Sequence, residues 1–216
     1  MSYPALKEQH RTLREDFDQS LSLRTHRALS WLQRAELSDD DLDIQFISLW
    51  VSFNAAYAVD VDAQYRTSER GIFESFFAKL VKLDTENRLY QLVWQEFSGP
   101  IRLLLNNEYT FQPFWDFQNG SINERRWRED FMRSKRRATE GLVSKDTDRV
   151  LSIVFRRIYT LRNQVLHGGA TWNSSANRTQ LQDCTAILLK VVPVVIELMM
   201  QHPEENWGEA HYPVVE

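Results

Sequence analysis

Apolar side chains recur along this chain at spacings of three and four residues, which is the period of amphipathic helices. The pattern predicts one long helix over about residues 4–36 and a second helix that starts after the capping pair Ser38 and Asp41 and ends near Tyr57. Phe73–Leu80 marks a third helix. The same period predicts further helices over about residues 85–97, 101–105, 121–138, 147–167 and 181–202.

Turn and capping residues divide the second half of this pattern. Gly99-Pro100 predicts a break, Ser121 opens a capping box, and Gly168-Gly169 ends the penultimate helix. The aromatic segment over residues 109–117 has no clean period and is predicted to be an ordered loop.

These features predict an all-α protein, an antiparallel helical bundle with extra helices and an aromatic-rich insert. A chain of 216 residues is long enough for one substantial core, so one domain over residues 1–216 is expected. The insert is placed at about residues 60–145, beginning with the polar stretch Asp60–Arg70, and a short polar tail at residues 203–216.

Composition narrows the class of protein. Hydrophobic residues make up 43% of the chain, which excludes a disordered protein, and only 7 Gly and 6 Pro disfavour an all-β fold with its many turns. No apolar run is long enough for a membrane span. The N-terminus lacks the features of a signal peptide and Cys184 is the single cysteine, so a cytoplasmic location is expected.

Several enzyme classes have no support in the sequence. There is no Gly-rich phosphate loop, no His-Glu-x-x-His motif and no cysteine pair, so no metal site and no cofactor are predicted. The net charge of −4 disfavours a surface that coats DNA generally.

The segment LRNQVLHGG at the end of the penultimate helix carries the candidate chemistry. At about 100° per residue, Asn163 and His167 share a face with Arg156 and Thr160, roughly opposite the apolar stripe, while Arg162 lies on the flank. If the stripe faces the core, this face looks outward, towards solvent or a second protomer.

Arg162, Asn163 and His167 resemble the signature of the HEPN superfamily, in which an Arg, often followed by a polar residue, precedes a His by four to six positions. Their place on the helix before the last fits the resemblance, and Phe46–Ala58 is similar to the second helix of the Apea-like HEPN subgroup. One departure is Gly169, where many family members have a Tyr.

The resemblance implies a homodimer in which two such motifs face each other and cleave RNA without a metal, as in toxin–antitoxin or antiviral defence systems with an antitoxin or regulatory partner. The ribose 2′-OH attacks the adjacent phosphate, His167 is the general acid or base, and Arg162 neutralises the charge that builds on the phosphate oxygens. Asn163 is expected to orient the phosphate or the His.

Other residues are candidates for binding the substrate RNA: Arg156, Thr160, Asn54, Arg125 and Arg128. Arg125 and Arg128 belong to a basic stretch in which Trp127 could stack on a base, although a solvated helix face with Trp127 in the core is an equal interpretation. Asn54 could instead be a satisfied buried polar group.

Three functions remain open from the sequence. The first is a metal-independent HEPN endoribonuclease. The second is a catalytically inert HEPN-type bundle that binds RNA, a nucleotide or a partner protein, in which His167 only interacts with the helix carboxyl terminus. The third is a structural helical interaction module.

Overall fold

The structure, a computed structural model, describes residues 2–58 and 69–210. These residues form helices and turns with no β-strand among them, which confirms the all-α class. Ten α-helices are described: α1 Tyr3–Leu13, α2 Gln19–Glu36, α3 Leu42–Tyr57, α4 Glu69–Leu83, α5 Arg88–Gln91, α6 Ser98–Asn106, α7 Gln112–Gln118, α8 Glu124–Ser144, α9 Thr147–Leu166 and α10 Arg178–Gln201. None of them is both long and apolar enough to span a membrane.

Contacts divide the described residues into two compact units. Unit 1 comprises residues 2–58 and 172–210, and unit 2 comprises residues 69–171. The helix α9 with the Arg/His motif belongs to unit 2, where it packs on α4, α6 and α8, so unit 2 extends beyond the predicted insert at 60–145. The single-domain interpretation stays a prediction. Residues 59–68 and 211–216, which include most of the predicted polar stretch and the end of the predicted tail, lie outside the described part.

Unit 1 is built around α2, α3 and α10, with α1 against α2 and α10. The guanidinium of Arg24 is buried in this unit and donates to three backbone carbonyls, those of Ala56 at 2.9 Å, Gly208 at 3.2 Å and Glu209 at 2.5 Å. Pro193 lies inside α10 and is itself buried.

The prediction of one long helix over residues 4–36 is wrong. A 3-10 turn over Arg14–Asp16 separates α1 from α2, and the side chain of Asp18 accepts a hydrogen bond from the backbone N–H of Leu21 at 2.7 Å. This carboxylate caps a new helix and so stabilises the break. Apolar spacing alone did not reveal it, because the spacing continues across the break.

In unit 2, α9 packs on α4 through aromatic rings. The ring of Phe155 lies 4.7 Å from that of Phe77 and 6.4 Å from that of Phe73, and all three side chains are fully buried. The predicted apolar stripe of α9 therefore faces the core of unit 2.

Three predictions in unit 2 need correction. Residues 109–117 are no loop, since a 3-10 turn at Glu108–Thr110 leads into α7, whose first turn contains Pro113. The predicted break between helices lies at Phe97, two residues before Gly99-Pro100, which fall in the first turn of α6, where a missing N–H costs little. The cap of α8 is Asn123, not Ser121, because its side chain accepts from the N–H of Arg126 at 2.9 Å.

Candidate functional site

The carboxyl end of α9 has the geometry that the sequence predicted. His167 is the C-cap of α9, directly after its last residue Leu166, and Gly168 follows with a φ of +73°. The N–H of Gly168 donates to the carbonyl of Val165 at 3.4 Å, and the N–H of Gly169 donates to that of Gln164 at 2.7 Å. This pair of bonds is the Schellman motif, which fixes the backbone at the point where the imidazole leaves the helix.

The same turn favours a glycine at position 169. A Cβ atom at position 169 would lie 2.9 Å from the carbonyl oxygen of Gln164, closer than side-chain carbons normally approach. Because this oxygen accepts the closing hydrogen bond of the turn, a larger residue at position 169 would require a different helix end.

Arg162 and Asn163 form a pair within the motif. The Nη1 group of Arg162 donates to Oδ1 of Asn163 at 2.8 Å, and the guanidinium lies 5.6 Å from the ring centre of Tyr159. Both residues of the pair are half-buried, whereas His167 is exposed. Asn163 therefore orients Arg162 in this structure. The sequence had led us to expect that Asn163 orients the phosphate or His167.

The expectation that Thr160 lies on an outward face is wrong. Thr160 is only 3% exposed, and its hydroxyl donates to the carbonyl of Arg156 at 3.2 Å. The segment before α7 covers this part of α9, where Gln164 Nε2 donates to the carbonyl of Tyr109 at 2.6 Å. Only the last turn of α9 stays open, because two of its faces are covered by different elements of unit 2.

Arg156 has a carboxylate partner. Its Nη1 lies 3.3 Å from Oε1 of Glu74, and the same oxygen accepts from Nη2 of Arg137 at 3.1 Å. One carboxylate thus bridges two arginines.

Asn54, the remaining candidate from the first half of the chain, lies in α3 and is half-buried. It belongs to unit 1, whereas Arg162 and His167 belong to unit 2. Its role in a shared cleft stays a prediction.

The arginines of α8 are exposed and paired along the helix. Arg125 Nε lies 2.8 Å from a carboxylate oxygen of Glu129, and Arg128 Nη2 lies 2.6 Å from one of Glu124. Exposed pairs of this kind contribute little to stability and exchange readily with other anions. Arg125 and Arg128 therefore remain accessible to phosphate, but neighbouring carboxylates offset their charge.

Trp127 is not available for stacking on a base. It is 5% exposed and packs edge-on against Phe114 at 5.4 Å and close to Phe117 and Phe131, both at 6.1 Å. Of the two interpretations of this residue, the one that places it in the core is therefore confirmed. The aromatic segment before α8 is packed against that helix, and its rings Phe114 and Phe117 contact Trp127.

Arg157 is a residue that the sequence analysis did not single out. Its side chain is 2% exposed, and its guanidinium stacks on Phe111 at 4.4 Å and Phe131 at 5.4 Å. Nη2 donates to the hydroxyl of Ser134 at 3.2 Å and to the carbonyl of Leu105 at 3.4 Å. Nε and Nη1 are buried and have no hydrogen-bond acceptor among the described residues.

The charge of Arg157 is poorly compensated. Burial, together with the nearby charge of Arg156, lowers the pKa of Arg157 to about 9. Cation–π contacts contribute about 0.5–2 kcal/mol, whereas burying an ion costs several kcal/mol. The sequence held one signal for this site: Arg157 lies three residues after Val154 and four before Leu161, so a charged residue occupies an apolar position of the stripe.

A cavity of about 280 Å³ lies beside Arg157 in unit 2. Its walls combine apolar and polar side chains, among them Phe111, Pro113, Ile153, Tyr159, Ser134 and Thr160.

Within residues 2–58 and 69–210, no three His, Cys, Asp or Glu side chains cluster as metal ligands would. The thiol of Cys184 is fully buried in α10, and burial raises its pKa. The thiol of Cys184 therefore adds no reactive centre to the candidate site.

The chain matches no protein-family model, and no curated protein or solved structure is significantly similar to it. The motif and the geometry of α9 are therefore the features that bear on function.

Proposed function

We propose that the chain is a metal-independent endoribonuclease of the HEPN type, in which His167 and Arg162 act on the phosphate of RNA. One observation carries the proposal: the last turn of α9 presents an exposed imidazole, while Asn163 holds the guanidinium of Arg162 at 2.8 Å in the preceding turn. A proton-transfer group and a preorganised cation are the two parts that this reaction needs.

The reaction follows from these two groups. A neutral imidazole takes the proton of the ribose 2′-OH as its oxygen forms a bond to phosphorus, and the bond from phosphorus to the 5′-oxygen breaks. An imidazolium gives its proton to the departing 5′-oxygen. Arg162 stabilises the negative charge on the phosphate oxygens, because its planar fork donates two hydrogen bonds. The products are a 2′,3′-cyclic phosphate and a 5′-hydroxyl.

Two copies of the chain supply the base and the acid together. Each copy has one His167, and five residues of helix place its side chain about 140° around the axis from that of Arg162. Exposed apolar groups surround the end of α9, since Leu166 is 43% exposed and Tyr109 is 48% exposed. Burial of these groups in a homodimer would bring two motifs together, as the HEPN resemblance implies.

The test is cleavage of mixed cellular RNA in EDTA by the wild type and by His167→Ala, Arg162→Ala and His202→Ala. General acid–base catalysis contributes about 10²–10⁴-fold, so His167→Ala is expected to lower the cleavage rate by that factor. His202 is the matched control, because it removes a histidine from the end of α10 in unit 1. Circular dichroism of each variant checks that the helices are retained.

Equal cleavage by the wild type and His167→Ala would contradict the proposal, as would a wild type that cleaves no RNA. Light scattering on the same samples checks the dimer, and a monomer at assay concentrations would contradict the composite site.

The second candidate is a catalytically inert HEPN-type bundle that binds RNA, a nucleotide or a partner protein, and the exposed arginines of α8 favour it. RNA binding by the wild type without cleavage in this assay would support that function over the first.

A further inference from the structure

Unit 2 contains a cavity whose chemistry is separate from the Arg162 and His167 motif. The cavity has a volume of about 280 Å³ and lies under the segment that leads into α7. Phe111, Pro113, Ile153 and Tyr159 supply apolar walls, so most of a bound molecule would contact hydrocarbon.

A single side chain dominates the electrostatics of this cavity. Arg157 is nine-tenths buried or more, and its Nε and Nη1 groups have no acceptor among the described residues. Arg156, the other charged lining residue, has the carboxylate of Glu74 at 3.3 Å. Arg157 itself donates hydrogen bonds to the hydroxyl of Ser134 and the carbonyl of Leu105, so its charge has no carboxylate partner among these contacts.

Polar groups that accept or donate hydrogen bonds lie around the same wall. Thr110, Gln112, Ser134 and Thr160 are the uncharged polar residues that line the cavity. Ser134 already accepts from Nη2 of Arg157 at 3.2 Å, which fixes the plane of the guanidinium. A fixed guanidinium binds the two oxygens of a planar anion with little loss of side-chain entropy.

We propose that this cavity binds a small organic carboxylate with an apolar body, whose carboxylate balances the charge of Arg157. The apolar walls select a hydrocarbon or aromatic body, and the guanidinium of Arg157 selects a negative charge. The low pKa of Arg157, about 9, agrees with a guanidinium that lacks its counter-ion. This site does not depend on the proposed ribonuclease activity.

The test is isothermal titration of the full chain with phenylacetate and hexanoate, compared with three probes that each lack one feature. Acetate has the charge without the body, 2-phenylacetamide has the aromatic body without the charge, and adenosine 5′-monophosphate replaces the carboxylate by a phosphate. We expect phenylacetate or hexanoate to bind at least tenfold more tightly than acetate and than the amide.

Arg157→Met and Arg102→Met separate the role of this guanidinium from a general change in charge. Arg157→Met is expected to weaken the binding of the carboxylate at least tenfold. Arg102 is an exposed residue of α6, so Arg102→Met makes the same change of charge and is expected to leave the affinity unchanged. Replacing a buried ion by an apolar side chain of similar size is often tolerated, so the variant is expected to fold, which thermal denaturation checks.

Arg157→Lys provides a second measurement that keeps the proposal falsifiable if the Met variant fails to fold. It is expected to retain the preference for the carboxylate over the amide, with a lower affinity. The proposal is overturned if the amide binds as tightly as phenylacetate, if adenosine monophosphate binds more tightly than both carboxylates, if no probe binds, or if a folded Arg157→Met binds normally.

Discussion

His10 makes the stability of unit 1 sensitive to acid. The imidazole is 3% exposed, and neither ring nitrogen has a hydrogen-bond partner among the described residues. Burial, followed by the charges of Lys7, His26 and Arg14, lowers the pKa of His10 from 6.5 to about 4. The folded protein therefore holds this side chain neutral at pH values where the unfolded chain has protonated it.

The sign and the size of the effect follow from proton linkage. Because the folded pKa lies below the unfolded pKa, the contribution of His10 to stability is complete above pH 6.5 and is lost as the pH falls through about 4. At about 1.4 kcal/mol per pKa unit, the whole loss is about 3 kcal/mol, of which about 2 kcal/mol is lost by pH 5.

The perturbation is His10→Leu, which replaces the ring by an apolar side chain that does not titrate. The free energy of unfolding is measured by urea denaturation, followed by circular dichroism, at pH 7 and at pH 5. Between these pH values we expect it to fall by about 2 kcal/mol less in the variant than in the wild type. His202→Gln is the control, expected to keep the pH dependence of the wild type. An identical pH dependence in His10→Leu and the wild type would refute the reasoning.

Three further predictions concern stability. Arg24→Met leaves three carbonyls of unit 1 without their buried donor and is expected to lower the free energy of unfolding by about 3 kcal/mol or more in urea; a neutral result would contradict the assigned bonds. Asp41→Ala removes the cap of α3, which accepts from two backbone N–H groups, and is expected to cost about 1 kcal/mol in the same assay. Lys145→Gly is expected to raise the stability by about 0.5–1 kcal/mol, because Lys145 has a φ of +53° at the end of α8; a loss of stability would contradict this.

The parts of the structure that depend on neighbours in sequence could be predicted. Gly168-Gly169 ends α9 as expected, and α3 begins next to the predicted pair Ser38 and Asp41, although the cap is Asp41 and not Ser38. Both signals act within a few residues of the chain. The missed break between α1 and α2 was also local, but a capping Asp18 within a continuing apolar period has no distinct signature.

The burial of Thr160 could not be predicted, and that of Arg157 was signalled only by its apolar position on α9, because distant segments determine both. The helical period places both residues on α9, but whether their faces meet solvent depends on how Phe111 and its neighbours pack over them. No periodic pattern connects residues that far apart in sequence. The exposed position of His167 was easier to predict, since the helix ends there.

The end groups of the RNA products test the central claim most directly. Wild-type chain is incubated with RNA in EDTA, and the 3′ ends of the fragments are analysed before and after acid opening of cyclic phosphates. The proposal predicts 2′,3′-cyclic phosphate ends with 5′-hydroxyls on the adjoining fragments, and none of these products from His167→Ala. Fragments with 3′-hydroxyl ends, or the same cyclic ends from His167→Ala, would contradict it.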